Sequence, residues 1–125
     1  MNKRHESLED YLERILMLSK KLPYVRSIDI AIDMSFSKPS ISIAMKKLKQ
    51  ENYITINENG HISLTEKGLK IALDVYERHT IITNALINLG VSEETARKDA
   101  CLIEHDLSKE SFECIKSFYL KIKKD

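Results

Sequence analysis

The chain has 125 residues, of which 42% are hydrophobic and 31% charged; 20 basic side chains against 19 acidic ones leave a net charge of +1. A chain of this size and composition can bury a core in one domain or two small subdomains, which excludes a disordered tail. The near-zero balance also excludes whole-molecule attraction to nucleic acid, so such affinity has to come from a local patch.

Residues 7 to about 19 read as a helix, with Leu8, Leu12, Ile15 and Leu16 forming an apolar stripe. Glu6, Glu9, Asp10 and Glu13 crowd its first turns, where the helix dipole favours acid. Asp10 and Glu13 also stand at i and i+3 and can face a common ligand, so both readings stay open. Pro23 ends this region. Ser27 can cap a short helix holding Ile28, Ile30, Ala31 and Met34, and Phe36-Ser37 turns the chain. Ser37 caps a second helix, with Pro39 in its first turn, that runs through Ile41, Ala44, Met45 and Leu48 to about Glu51.

Two short helices joined by a tight turn make a helix-turn-helix candidate, with Phe36, Ile41, Met45 and Leu48 as its core. The outer face carries Lys38, Ser40, Ser42, Lys46, Lys47 and Lys49 against Glu51. Between Phe36 and Tyr53 that is four lysines and one glutamate, a local charge of +3. A solvated lysine face is the plainer alternative. Residues 53–56 and 61–64 are β-branched, alternating runs around Asn57-Glu58-Asn59-Gly60, and Asn-Gly is a strong hairpin signal. A hairpin directly after a helix-turn-helix is a wing. In a winged helix the second helix enters the major groove while hairpin and helix ends touch phosphates.

From Thr65 a long helix is predicted to about Leu89, with Leu69, Ala72, Tyr76, Ile82, Ala85 and Leu86 inward. His79 lies on that stripe, where a hydrogen-bonded core histidine is the commoner role. Gly90 stops the helix, and Ser92 starts another that runs to Leu107. On it Cys101, Glu104 and His105 stand at i, i+3 and i+4 and share one wall. Thiolate, carboxylate and imidazole can ligate a first-row divalent cation, although one helix face rarely closes a coordination sphere. The alternative is a reduced buried cysteine beside a solvated Glu-His pair. Ser108 caps a last helix with Phe112, Ile115, Tyr119 and Ile122 in line, either the lid of the core or a dimer surface. The final residues read as a frayed tail. Two cysteines, Cys101 and Cys114, without a CxxC pair, a signal peptide or a membrane-length apolar run, point to a reducing cytoplasm and no membrane segment.

Six motifs stand in register along nearly the whole chain: Leu8-Glu9-Asp10-Tyr11-Leu12-Glu13, Asp29-Ile30-Ala31, Lys38-Pro39-Ser40-Ile41-Ser42, Leu64-Thr65-Glu66-Lys67-Gly68, Arg78-His79 and Glu104-His105-Asp106-Leu107-Ser108. Together they resemble the diphtheria-toxin-repressor and manganese-transport-regulator family of metal-activated dimeric transcription factors, in the short form without a C-terminal barrel. The resemblance implies a mainly α fold: a winged helix-turn-helix subdomain over residues 1–68 and a helical metal-binding and dimerisation subdomain over 69–125. It implies metal ligands at Asp10, Glu13, His79, Cys101, Glu104 and His105. The ancillary site of the longer iron-responsive branch is not carried over, because Thr83 and Arg97 stand at its expected ligand positions. Asn52 replaces the glycine usual after the recognition helix, and asparagine tolerates the left-handed conformation.

The expected protein is a cytoplasmic homodimeric repressor that binds near-palindromic, double-stranded operator DNA when Mn²⁺ or Fe²⁺ is available and so controls metal uptake, with no small organic ligand. Ser40 and Ser42 are expected to face base edges, with Ser37 and Pro39 at the helix start. Lys38, Lys46 and Lys47 would serve phosphates, helped by Arg26 and the wing tip at Asn59. Phe112, Ile115, Tyr119 and Ile122 are expected to pack across the two-fold axis. Hard oxygen donors suit Mn²⁺, whereas a thiolate at Cys101 raises relative affinity for Fe²⁺, Co²⁺ and Zn²⁺. Two other classes share parts of this pattern. A metal-independent winged-helix regulator would bind a small molecule and no stoichiometric metal. A metalloenzyme would need an H-E-x-x-H, a phosphate loop or a nucleophile-base arrangement, none of which the sequence has.

Overall fold

The computed structural model describes residues 3–123, and side chains from Leu8 onward. Its elements in order are α1 (Lys3–Ser19), α2 (Ser27–Met34), α3 (Lys38–Gln50), β1 (Ile54–Ile56), β2 (Ile62–Leu64), α4 (Glu66–Asn88), α5 (Glu93–Ile103) and α6 (Lys109–Lys123). The last two residues, part of the expected frayed tail, lie outside the described residues. The chain divides into two units, Lys3–Leu73 and residues 74–123, with the division inside α4.

In the N-terminal unit α1 packs on α2 and β2, and α3 on α2 and β1. Leu12, Ile15, Ile30, Ile41, Met45, Leu48, Ile54 and Ile62 are buried. The helix-turn-helix is set by local signals. Arg26 rather than Ser27 is the N-cap of α2: its backbone N–H donates to the Asp29 carboxylate (2.9 Å), whereas the residue three on from Ser27 is Ile30, which has no acceptor. Ser35 ends α2 at φ 58°, the left-handed turn that redirects the chain. Ser37 caps α3 by accepting from the Ser40 N–H (3.3 Å), and Asn52 takes up the left-handed conformation (φ 67°) after its end. Phe36 is half exposed, with its ring edge-on to Tyr11, and contributes less to the core than its position in the sequence predicts.

β1 and β2 pair antiparallel in the register Ile54↔Leu64, Thr55↔Ser63 and Ile56↔Ile62. At the tip, the Asn57 side-chain oxygen accepts from the N–H groups of Asn59 and His61 (both 2.9 Å), and Gly60 supplies φ 78°. The wing is braced by Val25, whose carbonyl accepts from the Ile62 N–H (2.7 Å), a bridge without a signal in the alternation pattern. At its other end the Thr65 hydroxyl accepts from the Gly68 N–H (3.1 Å) and donates to the Asn52 and Tyr53 carbonyls. A Cβ at position 68 would lie 2.1 Å from the Tyr53 carbonyl oxygen, so only glycine lets α4 start this close to the wing.

In the C-terminal unit Ile81 of α4 packs with Phe112 and Tyr119 of α6, and Ala85 and Ile115 lie against them. Two of the four residues expected to pack across the two-fold axis thus lie in the core of their own chain. Phe112 is only 2% exposed within its own chain, and Tyr119 is buried beside it. Both rings are spent on closing α6 onto α4. The apolar side chains of this unit left open to solvent include Leu89 (79% exposed), Phe118 (65%) and Ile122, and with Leu86, Ile103 and Ile115 they line one groove. Ser92 caps α5 and Ser108 caps the start of α6, as expected. α5 is shorter than predicted: it ends at Ile103, and the chain then turns through Glu104, His105 and Asp106.

Candidate metal centre and nucleic-acid interface

On the N-terminal unit, Lys38, Pro39, Ser40, Ser42, Lys46 and Lys47 of α3 are all exposed, as are Ser37 at its start, Arg26 before α2 and Asn59 at the wing tip. The cap uses part of this polar set: Ser37 donates to the Ser40 hydroxyl oxygen (2.8 Å). At the base of the wing the Tyr24 and His61 rings stack, with centroids 4.1 Å apart, and the Arg26 guanidinium lies 3.5 Å from His61 Nε2. Sequence reasoning passed over one residue of the α3 face. Ile43, named neither in the core nor on the outer face, is 72% exposed in its centre.

In the C-terminal unit, side chains distant in sequence meet. His79 of α4 donates from Nδ1 to Glu104 Oε2 (2.9 Å), and Cys101 Sγ lies 3.8 Å from the same nitrogen. The other carboxylate oxygen of Glu104 is 3.4 Å from His105 Nε2. Glu104 is 2% exposed, whereas Cys101 at the edge is open to solvent. Nitrogen, sulfur and oxygen donors of His79, Cys101 and Glu104 all lie within 4.8 Å of one another. Ligands about 2.0–2.3 Å from one ion stand roughly 3–4 Å apart, so this spacing and this mixture fit a first-row divalent ion.

Electrostatics give the cluster a second state. The pKa of His79 is raised to about 10, first by the hydrogen bond with Cys101 and then by that with Glu104, while burial opposes the shift. Without an ion, a proton on His79 satisfies the two acceptors that a cation would otherwise satisfy. Arg78, the preceding residue, holds the same segment by its main chain. Its guanidinium donates to the carbonyls of Glu104 (3.1 Å) and Leu107 (2.8 Å) and lies over the Phe112 ring, 5.1 Å from its centroid. Those carbonyls follow the end of α5 and would otherwise lack partners. Consecutive residues of α4 therefore grip Glu104 twice, by backbone and by carboxylate. The motif Arg78-His79 was visible in the sequence, but nothing local says where the arginine reaches.

Asp10 and Glu13 lie one turn apart on α1 of the N-terminal unit. Beside Asp10, the Tyr11 hydroxyl has a raised pKa, chiefly through burial and then through the Asp10 charge. Thr83 is buried with no partner for its hydroxyl among the described residues, and Arg97 pairs with Glu93 at 2.7 Å on the surface of α5.

Residues 4–62 match the family described as iron dependent repressor, N-terminal DNA binding domain, and residues 65–125 match iron dependent repressor, metal binding and dimerisation domain. The transcriptional regulator MntR of Escherichia coli O157:H7 is 35% identical over 118 residues, which cover 94% of this chain and 76% of that protein. An HTH-type transcriptional regulator of Methanocaldococcus jannaschii is 34% identical over 120 residues, 94% of this chain and 96% of that protein. Among solved structures, the manganese regulator SloR superposes with a TM-score of 0.77 at 31% identity, over 89% of this chain and 52% of that one; the chain thus spans about half the length of that structure. A winged helix-turn-helix, a three-donor cluster in the helical unit and family matches over both parts lead to one conclusion: the chain belongs to the iron-dependent repressor family.

Proposed function

We infer that the protein is a cytoplasmic, homodimeric repressor that binds operator DNA when a divalent ion, Mn²⁺ or Fe²⁺, fills the site built on His79, Cys101 and Glu104. The convergence of these three donors within 4.8 Å carries the reading, because His79 of α4 meets Cys101 of α5 and Glu104 just past its end in a nitrogen, sulfur and oxygen set that suits a divalent ion. His105 is the next donor, and Asp10 and Glu13 on α1 are the oxygen ligands that the family resemblance adds. The family is one of repressors rather than enzymes, so the ion acts as a signal.

When bound, the ion supplies the positive charge that the His79 proton supplies in its absence. Arg78 keeps Glu104 and Leu107 in place, which preorganises the carboxylate for both His79 and His105. Metal and operator DNA favour the same state of the protein, which couples metal occupancy to DNA binding. Whichever ligand binds first then raises affinity for the other, by about 1–3 kcal/mol in typical cases. Lys38, Lys46, Lys47 and Arg26 neutralise phosphates, while Ser40 and Ser42 meet base edges. The groove left open by Leu89, Phe118 and Ile122 receives a second copy, and a two-fold protein reads a near-palindromic site.

Fluorescence anisotropy of the chelated protein with a labelled operator duplex, before and after adding Mn²⁺, tests this reading. Binding that tightens at least about tenfold on metal addition supports it. Equal binding with and without metal would instead favour a metal-independent regulator.

A further inference from the structure

The proposed function gives no role to Ile43 on the α3 face. Ile43 is 72% exposed, so it packs against little of its own chain. Isolated exposed apolar residues are common and by themselves mean nothing. Its position gives this one a meaning. On a helix the residues three and four away share its face, and for Ile43 those are Pro39, Ser40, Lys46 and Lys47. Ile43 is therefore the centre of the outward face of the second helix of the helix-turn-helix, with lysines one turn ahead of it. It cannot donate or accept a hydrogen bond. The hydrogen-bonding capacity around it is also reduced, because the Ser40 oxygen already accepts from Ser37 at 2.8 Å.

The floor of the major groove offers donors and acceptors at every base pair, and one apolar group, the 5-methyl of thymine. A branched aliphatic side chain pressed over a cytosine or guanine edge would strip water from polar atoms and return nothing to them. Over thymine it buries a methyl against its own methyls. We propose that Ile43 is a specificity-determining residue of the recognition helix, beside Ser40 and Ser42, and that it reads a thymine methyl in each half-site of the operator. This rests on the DNA-binding reading above, and it adds the base feature recognised. Lys46 and Lys47, one turn on, hold the helix against phosphates while Ile43 makes the contact.

The test is a selection from a randomised duplex library with the full chain in excess Mn²⁺, followed by anisotropy on an enriched duplex in which each thymine in turn is replaced by uracil. Uracil removes the 5-methyl and leaves the pairing edge intact. At one thymine per half-site the replacement should weaken wild-type binding about fourfold, the worth of one buried methyl, and about fifteenfold when made in both half-sites. Ile43→Ala, an exposed substitution that leaves the fold in place, should bind the thymine and uracil duplexes equally and keep the wild-type salt slope. Uracil replacements that cost the wild type and Ile43→Ala the same at every position would overturn the proposal, as would an enriched site without a fixed thymine. Enrichment of no duplex at all would overturn the DNA-binding reading itself, and the proposal with it.

Discussion

The outward face of α3 and the His79–Cys101–Glu104 cluster are the two candidate sites, and they differ in what surrounds each side chain. On α3 the lysines and serines stand in solvent, and except for the Ser37–Ser40 pair each is positioned by the helix alone. Around Glu104 every group is held by another: His79 on one carboxylate oxygen, His105 near the other, and Arg78 on the backbone carbonyl. Solvated groups contribute separately, and their effects add. Interlocked groups do not, since removing one leaves its partners unsatisfied in a buried place. Substitutions in the two regions should therefore differ in size and in additivity.

The largest effect is expected at the hub. Glu104→Gln keeps the shape but removes the charge that pairs with His79 and with an ion. Mn²⁺ affinity by calorimetry should fall more than about a hundredfold, beyond the cost typical of residues that only orient a ligand. The double variant with His79→Gln should lose little more. Additive losses at these two positions would break the distinction between the regions. One step smaller is Arg78→Gln, which strands the Glu104 and Leu107 carbonyls. It should lower metal affinity about tenfold and stability by about 1–3 kcal/mol, read from metal titration and urea unfolding of the same protein.

Acidity sharpens the comparison further. The His79 pKa is raised above its unfolded value, so its contribution to the metal-free fold is fully present below about pH 6.5 and is lost as pH rises through about 10. Within that window metal binding must displace the His79 proton. Mn²⁺ affinity should rise with pH, by as much as about tenfold per unit for each proton released. Calorimetry in buffers of different ionisation enthalpy measures that release directly. The smallest effect belongs to the exposed face: Lys46→Ala should weaken DNA binding on all sequences alike and reduce the salt slope by about one. An unchanged slope would remove Lys46 from the phosphate contacts.

How much was legible beforehand follows the same division. The helix-turn-helix and wing are written in local signals: Ser37 as a cap, Pro39 in the first turn, Asn59-Gly60 at the hairpin tip, each acting within a few residues. Where a local signal misled, a neighbour had a better geometry, as when Asp29 reached back to Arg26 and made that residue the cap of α2. Exposed Ile43 was named in neither set, and apolar type is a guide to burial only in one direction. In the C-terminal unit the residue types of Cys101, Glu104 and His105 were informative, but their meeting with His79 depends on how α4 and α5 pack. The early end of α5 is likewise tertiary, since Arg78 arrives from α4 to take up the carbonyls that follow it. The apolar edge of α6 could be core lid or dimer surface, and the expectation put Phe112, Ile115, Tyr119 and Ile122 at the dimer. Packing against Ile81 decided it, taking Phe112 and Tyr119 inward and leaving Phe118 outside.

The most direct test of the central claim, that His79, Cys101 and Glu104 hold one divalent ion, is the near-ultraviolet absorption of the full chain titrated with Co²⁺ under reducing conditions. A thiolate bound to cobalt gives a sulfur-to-metal charge-transfer band, so the account predicts a band that saturates stoichiometrically, disappears in Cys101→Ser and persists in Cys114→Ser. A saturating Co²⁺ complex without that band in the wild type, or with the band intact in Cys101→Ser, would contradict it.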